Sequence, residues 1–325
     1  MELFINDHLD AAFNLALEEL MTRNYEKNFI MLWRNANAVI VGRNQNTAAE
    51  IDSEKIKLYQ TAVIRRSTGG GAVYHDTGNL NYSIGIQGRH AAHESFAEHA
   101  APVLAALRAM NIDAVFSGRN DIEVRNCKIS GSARAVMGDR TLFHGTLLFD
   151  CNMQILQDVL IPDPEKIRSK GIKSVRARVM NLKELFPGMS MDEFMENFAA
   201  SLQKQLPGCR IRTVPANLIA DAEKLADQKY RTWEWNYGTV IPYSFRKSKR
   251  FPAGRIEVQF NIRNNQIHDL HFSGDFFGLH PAEEFAALLN GTSLEPEVLL
   301  KKIQSCNFEK WIAGISAEDL VTLFV

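Results

Sequence analysis

A run of glycines preceded by two arginines is the part of the sequence whose residue types best fit chemistry. Residues 65–76 read RRSTGGGAVYHD, and residues 78–81 read GNLN. Three consecutive glycines let the backbone approach a ligand closely and adopt positive φ angles, and successive amide N–H groups in such a turn can bind an anion. Arg65 and Arg66 add planar charged groups that suit phosphate or carboxylate. The segment predicts an anion-binding site, with a Gly-rich hairpin turn as the alternative.

A second group of polar residues surrounds a lysine that lies between small side chains. Residues 117–121 read SGRND, and residues 127–133 read CKISGSA. On a strand, alternate residues share a face, so Lys128 and Ser130 are expected on one face and Cys127 on the other. Small neighbours leave a lysine accessible, which suits contact with a charged ligand. A surface lysine in a hairpin is the equally open alternative.

Two further side chains could act at the same site. Asp121 can hold a magnesium ion through its carboxylate oxygens, as phosphate chemistry often requires, or it can cap a turn. His144 lies in the apolar segment 142–149, with Thr146 on the same face. A lone histidine in an apolar strand is usually a core group, so His144 is a secondary candidate.

Composition narrows the class of protein. The chain has 325 residues, a net charge of −1, 46% hydrophobic and 23% charged residues, which is ordinary for a globular protein and does not favour bulk nucleic-acid binding. Its four cysteines form no CxxC, so neither a zinc cage nor a disulfide scaffold is expected. Because we find no signal-peptide pattern and no apolar run of roughly 20 residues, we expect a cytoplasmic protein that does not span a membrane. The basic stretch 166–178 is either a solvated face or a mobile flap that orders on an anionic ligand.

The elements that would position these residues are strands interspersed with helices. An amphipathic helix is expected around Phe13 and Leu17, and a second helix over residues 96–110, although Pro102 lies inside it. Strands are expected at residues 30–33, 38–42, 62–64, 80–86, 121–124, 127–130 and 142–149, and the segments 121–124 and 127–130 are expected to form a β-hairpin that turns at Arg125-Asn126. This order predicts an α+β domain around a mainly antiparallel or mixed sheet.

A small separate domain is predicted at the C-terminal end. Residues 246–250 are interpreted as a linker between a large domain, residues 1–245, and a small α+β domain, residues 251–325. Apolar residues alternate over 256–262, and the pair Asn264-Asn265 that follows is typical of a hairpin turn.

Together these segments resemble the lipoate–protein ligases of the type that carries a C-terminal accessory domain. The matching segments occur in family order over nearly the whole chain, at residues 33–35, 42–46, 65–76, 118–121, 128–133, 144–148, 170–179 and 233–238. The resemblance implies a large catalytic domain similar to biotin protein ligases and class II aminoacyl-tRNA synthetases, with a mixed or antiparallel sheet flanked by helices. A small α+β domain is implied behind it.

The resemblance also implies an ATP-dependent reaction in two steps. Lipoate reacts with ATP in the presence of Mg²⁺ to give lipoyl-AMP and pyrophosphate, and a lysine of a protein then takes the lipoyl group and releases AMP. The implied acceptors are apo lipoyl domains of 2-oxoacid dehydrogenase E2 subunits or the glycine cleavage H protein. Neither nucleic acid nor a membrane is implied as a partner.

Roles for individual residues follow from the same resemblance. Lys128 is implied as the central catalytic residue, in contact with both the acyl carbonyl and the phosphate, while Asp121 stays a candidate magnesium ligand on its own carboxylate chemistry. The adenylate-binding residues are implied to be Arg66, Gly71, Ala72, Val73, Tyr74, His75 and Asn79. The lipoate pocket is implied to hold Trp33, Arg65, Ser67 and His144 together with Lys128. The flap over the adenylate is implied to include Lys173, Ser174, Val175, Arg176 and Arg178.

Two other functions remain open on the sequence. A cysteine-dependent lipoyl or octanoyl transferase of the same superfamily would use Cys127, since the neighbouring ammonium of Lys128 lowers a thiol pKa. Strand alternation, which points Cys127 away from Lys128, disfavours it. A non-catalytic binder of lipoate or of lipoyl domains would keep the ligand pocket and release no pyrophosphate.

Overall fold

The computed structural model describes residues 1–88, 91, 94–161, 179–238 and 243–324. In chain order, the strands of this part are β1 (Glu2–Asn6), β2 (Phe29–Trp33), β3 (Ala38–Val41), β4 (Ala62–Arg65), β5 (Val73–His75), β6 (Asn79–Gln87), β7 (Val115–Ser117), β8 (Asp121–Val124), β9 (Cys127–Met137), β10 (Arg140–Leu148), β11 (Arg210–Arg212), β12 (Phe245–Phe251), β13 (Gly254–Arg263) and β14 (Gln266–Gly274). Its α-helices are α1 (Ala11–Asn24), α2 (Thr47–Glu50), α3 (Ser53–Tyr59), α4 (Phe96–Ala109), α5 (Met153–Val159), α6 (Met191–Gln205), α7 (Ala216–Leu225), α8 (Trp233–Tyr237), α9 (Ala282–Leu289), α10 (Pro296–Ser305) and α11 (Ala317–Val321).

A large mixed sheet forms the centre of the larger, N-terminal domain. Its strands lie in the order β11-β1-β2-β6-β10-β9-β8-β7. The strands β11, β1 and β2 run parallel to one another, and every later neighbour is antiparallel. One face of this sheet packs on α4 and α6 through a core that includes Phe143, Phe149, Phe194 and Phe198. The predicted α+β class with a mixed sheet is confirmed.

Helix α1 covers the other face of the sheet and is buried on almost every side. Asp10 caps its N-terminus by accepting a hydrogen bond from the Ala12 N–H. We predicted an amphipathic helix, but α1 also packs against α7 and residues 226–230, so its outer face is covered as well. The carboxylates of Glu18 and Glu19 are therefore buried, with only 3% and 7% of each residue exposed.

A smaller three-stranded sheet carries the glycine run. Its order is β4-β3-β5, with β3 parallel to β4 and antiparallel to β5. The glycines occupy the turn between β4 and β5, so β4 delivers the chain to them as the sequence predicted. The strands β2 and β3, although only a few residues apart, belong to different sheets.

Two other local predictions are confirmed by the backbone. Helix α4 continues through Pro102 and begins with a capping box between Ser95 and Glu98. The hairpin of β8 and β9 turns at Arg125 and Asn126, whose φ angles of 53° and 62° lie in the left-handed region that this tight turn requires.

The C-terminal domain has its own core and its own sheet. The strands β12, β13 and β14 form an antiparallel sheet that packs on α9, α10 and α11 around Phe260, Phe272 and Phe285. The predicted hairpin turn at Asn264-Asn265 is confirmed by φ angles of 51° and 57°. The predicted linker at 246–250 is wrong, because these residues form most of β12 and pair with β13. Strand β12 is an edge strand whose middle residues are exposed on both faces, so its basic sequence lacks the apolar alternation of an internal strand.

The C-terminal domain packs directly against the glycine turn. The Gly70 N–H donates to the Phe276 carbonyl at 3.3 Å, and the Gly274 N–H donates to the Asn44 carbonyl at 2.7 Å. Cβ atoms added at Gly69 and Gly70 would lie 2.7 Å from the Phe276 oxygen and 2.9 Å from Cε1 of Phe277. Two of the three glycines thus permit close approach of a second domain. No helix within the described residues combines the length and apolar character that a bilayer span requires.

Candidate active site

Lys128 lies in a cavity of about 430 Å³ that both domains line. The large domain contributes side chains from α1, the sheets and the glycine turn, and the C-terminal domain closes one side. Of the residues predicted from sequence, the cavity is lined by Trp33, Arg66, Gly71, Ala72, Val73, His75, Asp121, Lys128 and His144. The structure therefore brings these nine predicted residues together around one cavity.

A β-bulge in β9 directs Lys128 into this cavity. Along β8, Ile122 pairs with Ser130 and Glu123 pairs with Lys128, so one residue of β8 spans two of β9 and Ile129 is the extra residue. Ser130 consequently shares the buried face of Ile122, while Lys128 lies over Gly131, where an added Cβ would be 3.0 Å from Nζ. The predicted common face of Lys128 and Ser130 is wrong because a regular strand was assumed.

The ammonium of Lys128 is held by a carboxylate beside it. Its Nζ lies 2.8 Å from Oδ1 of Asp121, and the two side chains are 37% and 33% exposed. Its main-chain carbonyl accepts a hydrogen bond from the Met180 N–H at 3.1 Å. The lysine is thus fixed at both its backbone and its charged end, while it stays open to a ligand.

Arg66 supports the glycine turn from inside. Its Nη2 donates to the carbonyls of Gly69 and Gly71 at 2.7 and 2.9 Å, Nη1 donates to Ile40, and Nε donates to the Thr68 hydroxyl. Burial lowers the pKa of Arg66 to about 10, which leaves it charged at neutral pH. Because these donors are used by the turn, Arg66 shapes the site rather than offering an open fork to a ligand.

Arg65 and Ser67, which were predicted for the lipoate pocket, do not line this cavity. The Arg65 guanidinium donates to six oxygen atoms, of Gly42, Arg43, Gln45, Thr47, Trp235 and Asn236. Ser67 shares hydrogen bonds with the Tyr230 hydroxyl at 2.7 Å and with Glu19 at 3.2 Å. Burial raises the pKa of Glu19, but the Lys229 ammonium at 2.6 Å and the Tyr230 hydroxyl outweigh it and lower the pKa to about 2. Both residues hold α8 and the segment before it against the catalytic domain.

His144 is the centre of a buried hydrogen-bonded chain below the cavity. Its Nδ1 lies 2.8 Å from Oε1 of Glu18, and its Nε2 lies 2.9 Å from the Thr68 hydroxyl. Glu18 also accepts from Ser83 at 2.6 Å, and Ser83 accepts from Trp33 Nε1 at 2.7 Å. Since the Thr68 hydroxyl accepts from Arg66, it can donate to Nε2, which places the histidine proton on Nδ1 toward Glu18. Trp33 and His144 are thereby locked in orientation.

His75 presents an unused polar atom to the cavity. Its Nδ1 faces the Asn35 amide nitrogen at 3.1 Å, which can only donate, so the neutral ring carries its proton on Nε2. Within the described residues, Nε2 is buried and meets no hydrogen-bond partner. Burial lowers the pKa of His75 to about 3, and the charge of Arg66 acts in the same direction. His75 therefore carries a neutral, unpartnered N–H donor in the wall of the cavity.

The remaining predicted residues either lie away from the cavity or fall outside the described residues. The Tyr74 side chain packs in the small-sheet core, and Asn79 is fully buried below the cavity. Asn79 donates to Asn81, whose own side chain lines the cavity. The predicted flap residues Lys173, Ser174, Val175, Arg176 and Arg178 lie outside the described residues.

Several residues of the cavity were missed by the sequence analysis. They include Leu15, Ile40, Asn81, Arg119, Ser132 and Thr146 of the large domain and Arg250, Pro252, Asp275 and Phe277 of the C-terminal domain, with Glu18 behind His144. Helical spacing places Leu15 and Glu18 on neighbouring positions of one face, a signal that was available. The C-terminal residues carried no local signal, because their role depends on how the two domains pack.

The buried neutral state of His75 predicts a pH-dependent loss of stability. Below about pH 6.5 the unfolded chain binds a proton at this ring, whereas the folded protein does so only near pH 3, so acid favours unfolding. Each pH unit in this window should cost about 1.4 kcal/mol of unfolding free energy from this residue. His75→Gln keeps an acceptor for Asn35 and removes the titration, so urea unfolding at pH 7.5 and pH 5 should show a smaller acid loss in the variant. Parallel pH curves for the two proteins would contradict the assignment.

Sequence families place this chain in one class of enzyme. A family model described as the lipoyl protein ligase A/B catalytic domain matches residues 10–203. A second, described as the bacterial lipoate protein ligase C-terminus, matches residues 241–324. The chain belongs to the lipoate–protein ligase family and is a ligase.

Individual relatives are similar in sequence to this chain over almost its full length. Lipoate–protein ligase 1 of Staphylococcus aureus is 33% identical over 321 residues, with 98% of each chain covered. Lipoate-protein ligase LplJ of Bacillus subtilis is 33% identical over 324 residues, which cover 97% of this chain and 96% of that protein.

Solved structures give the same result for the fold. P. falciparum LipL1 in complex with lipoate has a TM-score of 0.81 at 26% identity, with 94% of each chain covered. A bipartite lipoate protein ligase of Thermoplasma acidophilum, described with its E2 lipoyl domain, has a TM-score of 0.64 at 29% identity, covering 75% of this chain and 98% of that one. A lipoate-protein ligase A bound with ATP has a TM-score of 0.62 at 27% identity, covering 74% and 99%.

Proposed function

We propose that this enzyme activates lipoate with ATP to form lipoyl-AMP and then transfers the lipoyl group to a lysine of a lipoyl domain. The observation that carries the proposal is the position of Lys128, whose ammonium lies in a cavity with an apolar part and a strongly cationic part. The lipoate-bound and ATP-bound structures of similar proteins support the same two substrates.

The first step joins the carboxylate of lipoate to the α-phosphorus of ATP. A carboxylate oxygen attacks the phosphorus, the bond to the bridging oxygen of the β-phosphate breaks, and pyrophosphate leaves with the electron pair. Negative charge increases on the oxygens of the phosphorus centre during this step. An ammonium at Lys128, held by Asp121, would stabilise that charge by about 3–4 kcal/mol if it matches one oxyanion-hole donor.

The second step moves the acyl group to the acceptor. The neutral amine of the acceptor lysine attacks the carbonyl carbon of lipoyl-AMP, the anhydride bond to phosphate breaks, AMP leaves with the electron pair, and the nitrogen releases one proton to solvent as the amide forms. Lys128 would stabilise charge on the carbonyl oxygen and on the departing phosphate. The reaction needs no covalent intermediate on the enzyme.

The two parts of the cavity suit the two parts of lipoyl-AMP. Leu15, Trp33 and Ile40 provide apolar surface for the acyl chain, and the fixed orientation of Trp33 and His144 keeps this surface in shape. For the adenylate we propose the backbone of Gly71–Tyr74 together with the N–H donor of His75. Arg66 would contribute by holding the turn.

Magnesium would accompany ATP at the carboxylate of Asp121. Mg²⁺ in such sites is commonly held by one or two carboxylates together with substrate phosphates and water. Asp121 is partly exposed and lines the cavity beside Lys128, so it fits this role. Within the part of the chain that the structure describes, no group of three or more His, Cys, Asp or Glu side chains could form a cage for a metal. The metal would supply charge neutralisation of the phosphates when bound.

The acceptor follows from the similar archaeal enzyme, which is described with its E2 lipoyl domain. We propose apo lipoyl domains of 2-oxoacid dehydrogenase E2 subunits or the glycine cleavage H protein as acceptors, with the reaction located in the cytoplasm.

The proposed reaction is tested by measuring its two products separately. Wild-type enzyme should release pyrophosphate only when ATP and lipoate are both present, and an apo lipoyl domain should gain one lipoyl group by mass spectrometry with release of AMP. Tight lipoate binding without pyrophosphate would support a non-catalytic binder instead.

The transferase alternative makes a different prediction for Cys127. Cys127 packs against the core of the large sheet, on the face opposite Lys128, so its sulfur is badly placed to take an acyl group. Cys127→Ser should therefore keep lipoate-dependent pyrophosphate release and lipoylation within about twofold of wild type. Complete loss of acyl transfer in this variant, with its fold intact by circular dichroism, would favour a thioester mechanism.

A further inference from the structure

The cavity around Lys128 has one wall that belongs to the C-terminal domain. Arg250, Asp275 and Phe277 line it together with the catalytic-domain residues. Arg250 lies near the end of β12, and Asp275 directly follows β14. A domain that is remote in sequence therefore places a cation in the proposed active site.

The direction of the Arg250 side chain is fixed by a buried carboxylate. Its Nη2 lies 3.3 Å from Oδ2 of Asp275, and the two side chains are 24% and 11% exposed. Asp275 is itself anchored, because its Oδ1 accepts a hydrogen bond from the Arg255 N–H. The pair is thus part of the C-terminal sheet rather than a freely moving surface contact.

A second arginine joins this wall from the catalytic domain. Arg119, in the turn between β7 and β8, donates to the Ala253 carbonyl, and its guanidinium carbon lies 4.4 Å from the ring centroid of Phe277. It is two residues from Asp121, the partner of Lys128. Arg119 and Arg250 therefore line the junction of the domains, next to the proposed reacting centre.

Charge in the cavity favours a polyanion larger than a single phosphate. Among the described residues, four basic side chains line it, Arg66, Arg119, Lys128 and Arg250, against the two carboxylates of Asp121 and Asp275. The donors of Arg66 are used by the glycine turn. Lys128 is assigned to the phosphorus under attack, which leaves the two arginines at the junction for the rest of a triphosphate.

We propose that Arg250, together with Arg119, binds the β- and γ-phosphates of ATP and stabilises the pyrophosphate that leaves. This inference rests on the proposed adenylation reaction. Guanidinium groups suit it because they bind phosphate oxygens through two parallel hydrogen bonds. Once the bond between the α-phosphorus and the bridging oxygen has broken, both arginines have completed their role, since the acyl transfer to the acceptor involves only the α-phosphate.

The proposal therefore predicts that loss of either arginine slows the adenylation step and leaves the acyl-transfer step unchanged. Arg250→Gln should lower the kcat/KM for ATP in lipoate-dependent ATP–pyrophosphate exchange by about 100-fold, comparable to the loss of one charge-stabilising donor. It should leave transfer from chemically prepared lipoyl-AMP to an apo lipoyl domain within about twofold of wild type. Arg119→Gln, on the other domain, should show the same separation, and both variants should bind inhibitory pyrophosphate more weakly.

A matched control is available on the same strand. Arg246 of β12 is paired with Glu257 at 2.8 Å and lies outside the Lys128 cavity, so Arg246→Gln should leave both half-reactions within about twofold. Arg250→Lys should have exchange activity between those of Arg250→Gln and wild type, because it keeps the charge but cannot form two parallel hydrogen bonds to a phosphate.

Each other outcome decides against the proposal. Exchange activity near wild type in Arg250→Gln, or equal losses in both half-reactions, would overturn it, the second result indicating a purely structural role for the Arg250–Asp275 pair. If wild-type enzyme shows no lipoate-dependent exchange at all, the adenylation reaction itself is wrong, and this failure is distinct from a failure of the arginine assignment.

Discussion

Replacing Lys128 with methionine is expected to reduce lipoate-dependent pyrophosphate release by about 10²- to 10³-fold, the usual cost of losing one donor at a developing oxyanion. Methionine keeps an unbranched apolar stem in the space over Gly131 and removes the charge. Because Asp121 is one-third exposed, its carboxylate can be solvated in the variant. The loss should therefore appear in rate rather than in folding. ATP–pyrophosphate exchange and single-turnover transfer from prepared lipoyl-AMP should both be slowed.

A closely matched lysine provides the control. Lys183 is also ion-paired with an aspartate, Asp150, and its side chain is 38% exposed, against 37% for Lys128. Lys183→Met removes the same charge outside the cavity, so its activity should stay within about twofold of wild type. Equal activity losses in the two variants, or a Lys128→Met enzyme with near-normal exchange, would refute the central role of Lys128.

Replacing Arg66 with lysine is expected to destabilise the protein and to abolish most activity, even though the charge is kept. Lysine has a single compact donor group, whereas Arg66 spans the carbonyls of Ile40, Gly69 and Gly71. Hydrogen bonds to a charged group contribute about 1.5–3 kcal/mol each. Loss of one or two should lower the thermal midpoint by about 2 to 9 °C for a chain of this length. Differential scanning fluorimetry and ATP–pyrophosphate exchange on the same samples provide the measurement.

The two interpretations of Arg66 differ in this experiment. A direct adenylate ligand, as the resemblance implied, would tolerate lysine with normal stability and a raised KM for ATP. A support of the glycine turn would lose stability before any substrate is added. Arg263→Lys is a suitable control, because Arg263 is 66% exposed and paired only at the surface with Asp269.

Local patterns in the sequence were sufficient for most of the individual elements. The hairpin at Arg125-Asn126 and the hairpin at Asn264-Asn265 were predicted because turn residues interrupt strict alternation, and both turns adopt left-handed φ angles. Helix α4 was predicted from apolar spacing in spite of Pro102. These features depend on residues close together in the chain, which is the information that a single sequence carries.

Features that depend on distant contacts were not predictable in this way. The Glu18–Glu19 pair was not singled out, but α7 and residues 226–230 cover the outer face of α1 and bury both carboxylates. The edge strand β12 was interpreted as a linker, since it gains its partner only from β13. Arg65 and Arg66 were assigned similar ligand-binding roles, yet alternation along β4 and into the turn directs them to different parts of the molecule.

The glycine run illustrates how one signal can have two causes. The sequence favoured a ligand over a simple hairpin turn as the reason for the three glycines, because close backbone approach is what glycine permits. In the structure, Gly69 and Gly70 accommodate Phe276 and Phe277 of the C-terminal domain, and only an added Cβ at Gly71 would meet nothing within 4 Å. Part of the motif is therefore a docking surface between domains.

The bulge at Ile129 means that this hairpin carries one residue more than its ladder needs. Deleting Ile129 would restore a regular ladder in which Ser130 still pairs with Ile122 and Lys128 with Glu123, so both side chains would keep their present faces at the cost of one buried apolar group. An insertion between Lys128 and Gly131 would instead add a second unpaired residue and change the spacing between Lys128 and Asp121. Natural and engineered variants of this enzyme should accordingly lose a residue at this position more readily than they gain one.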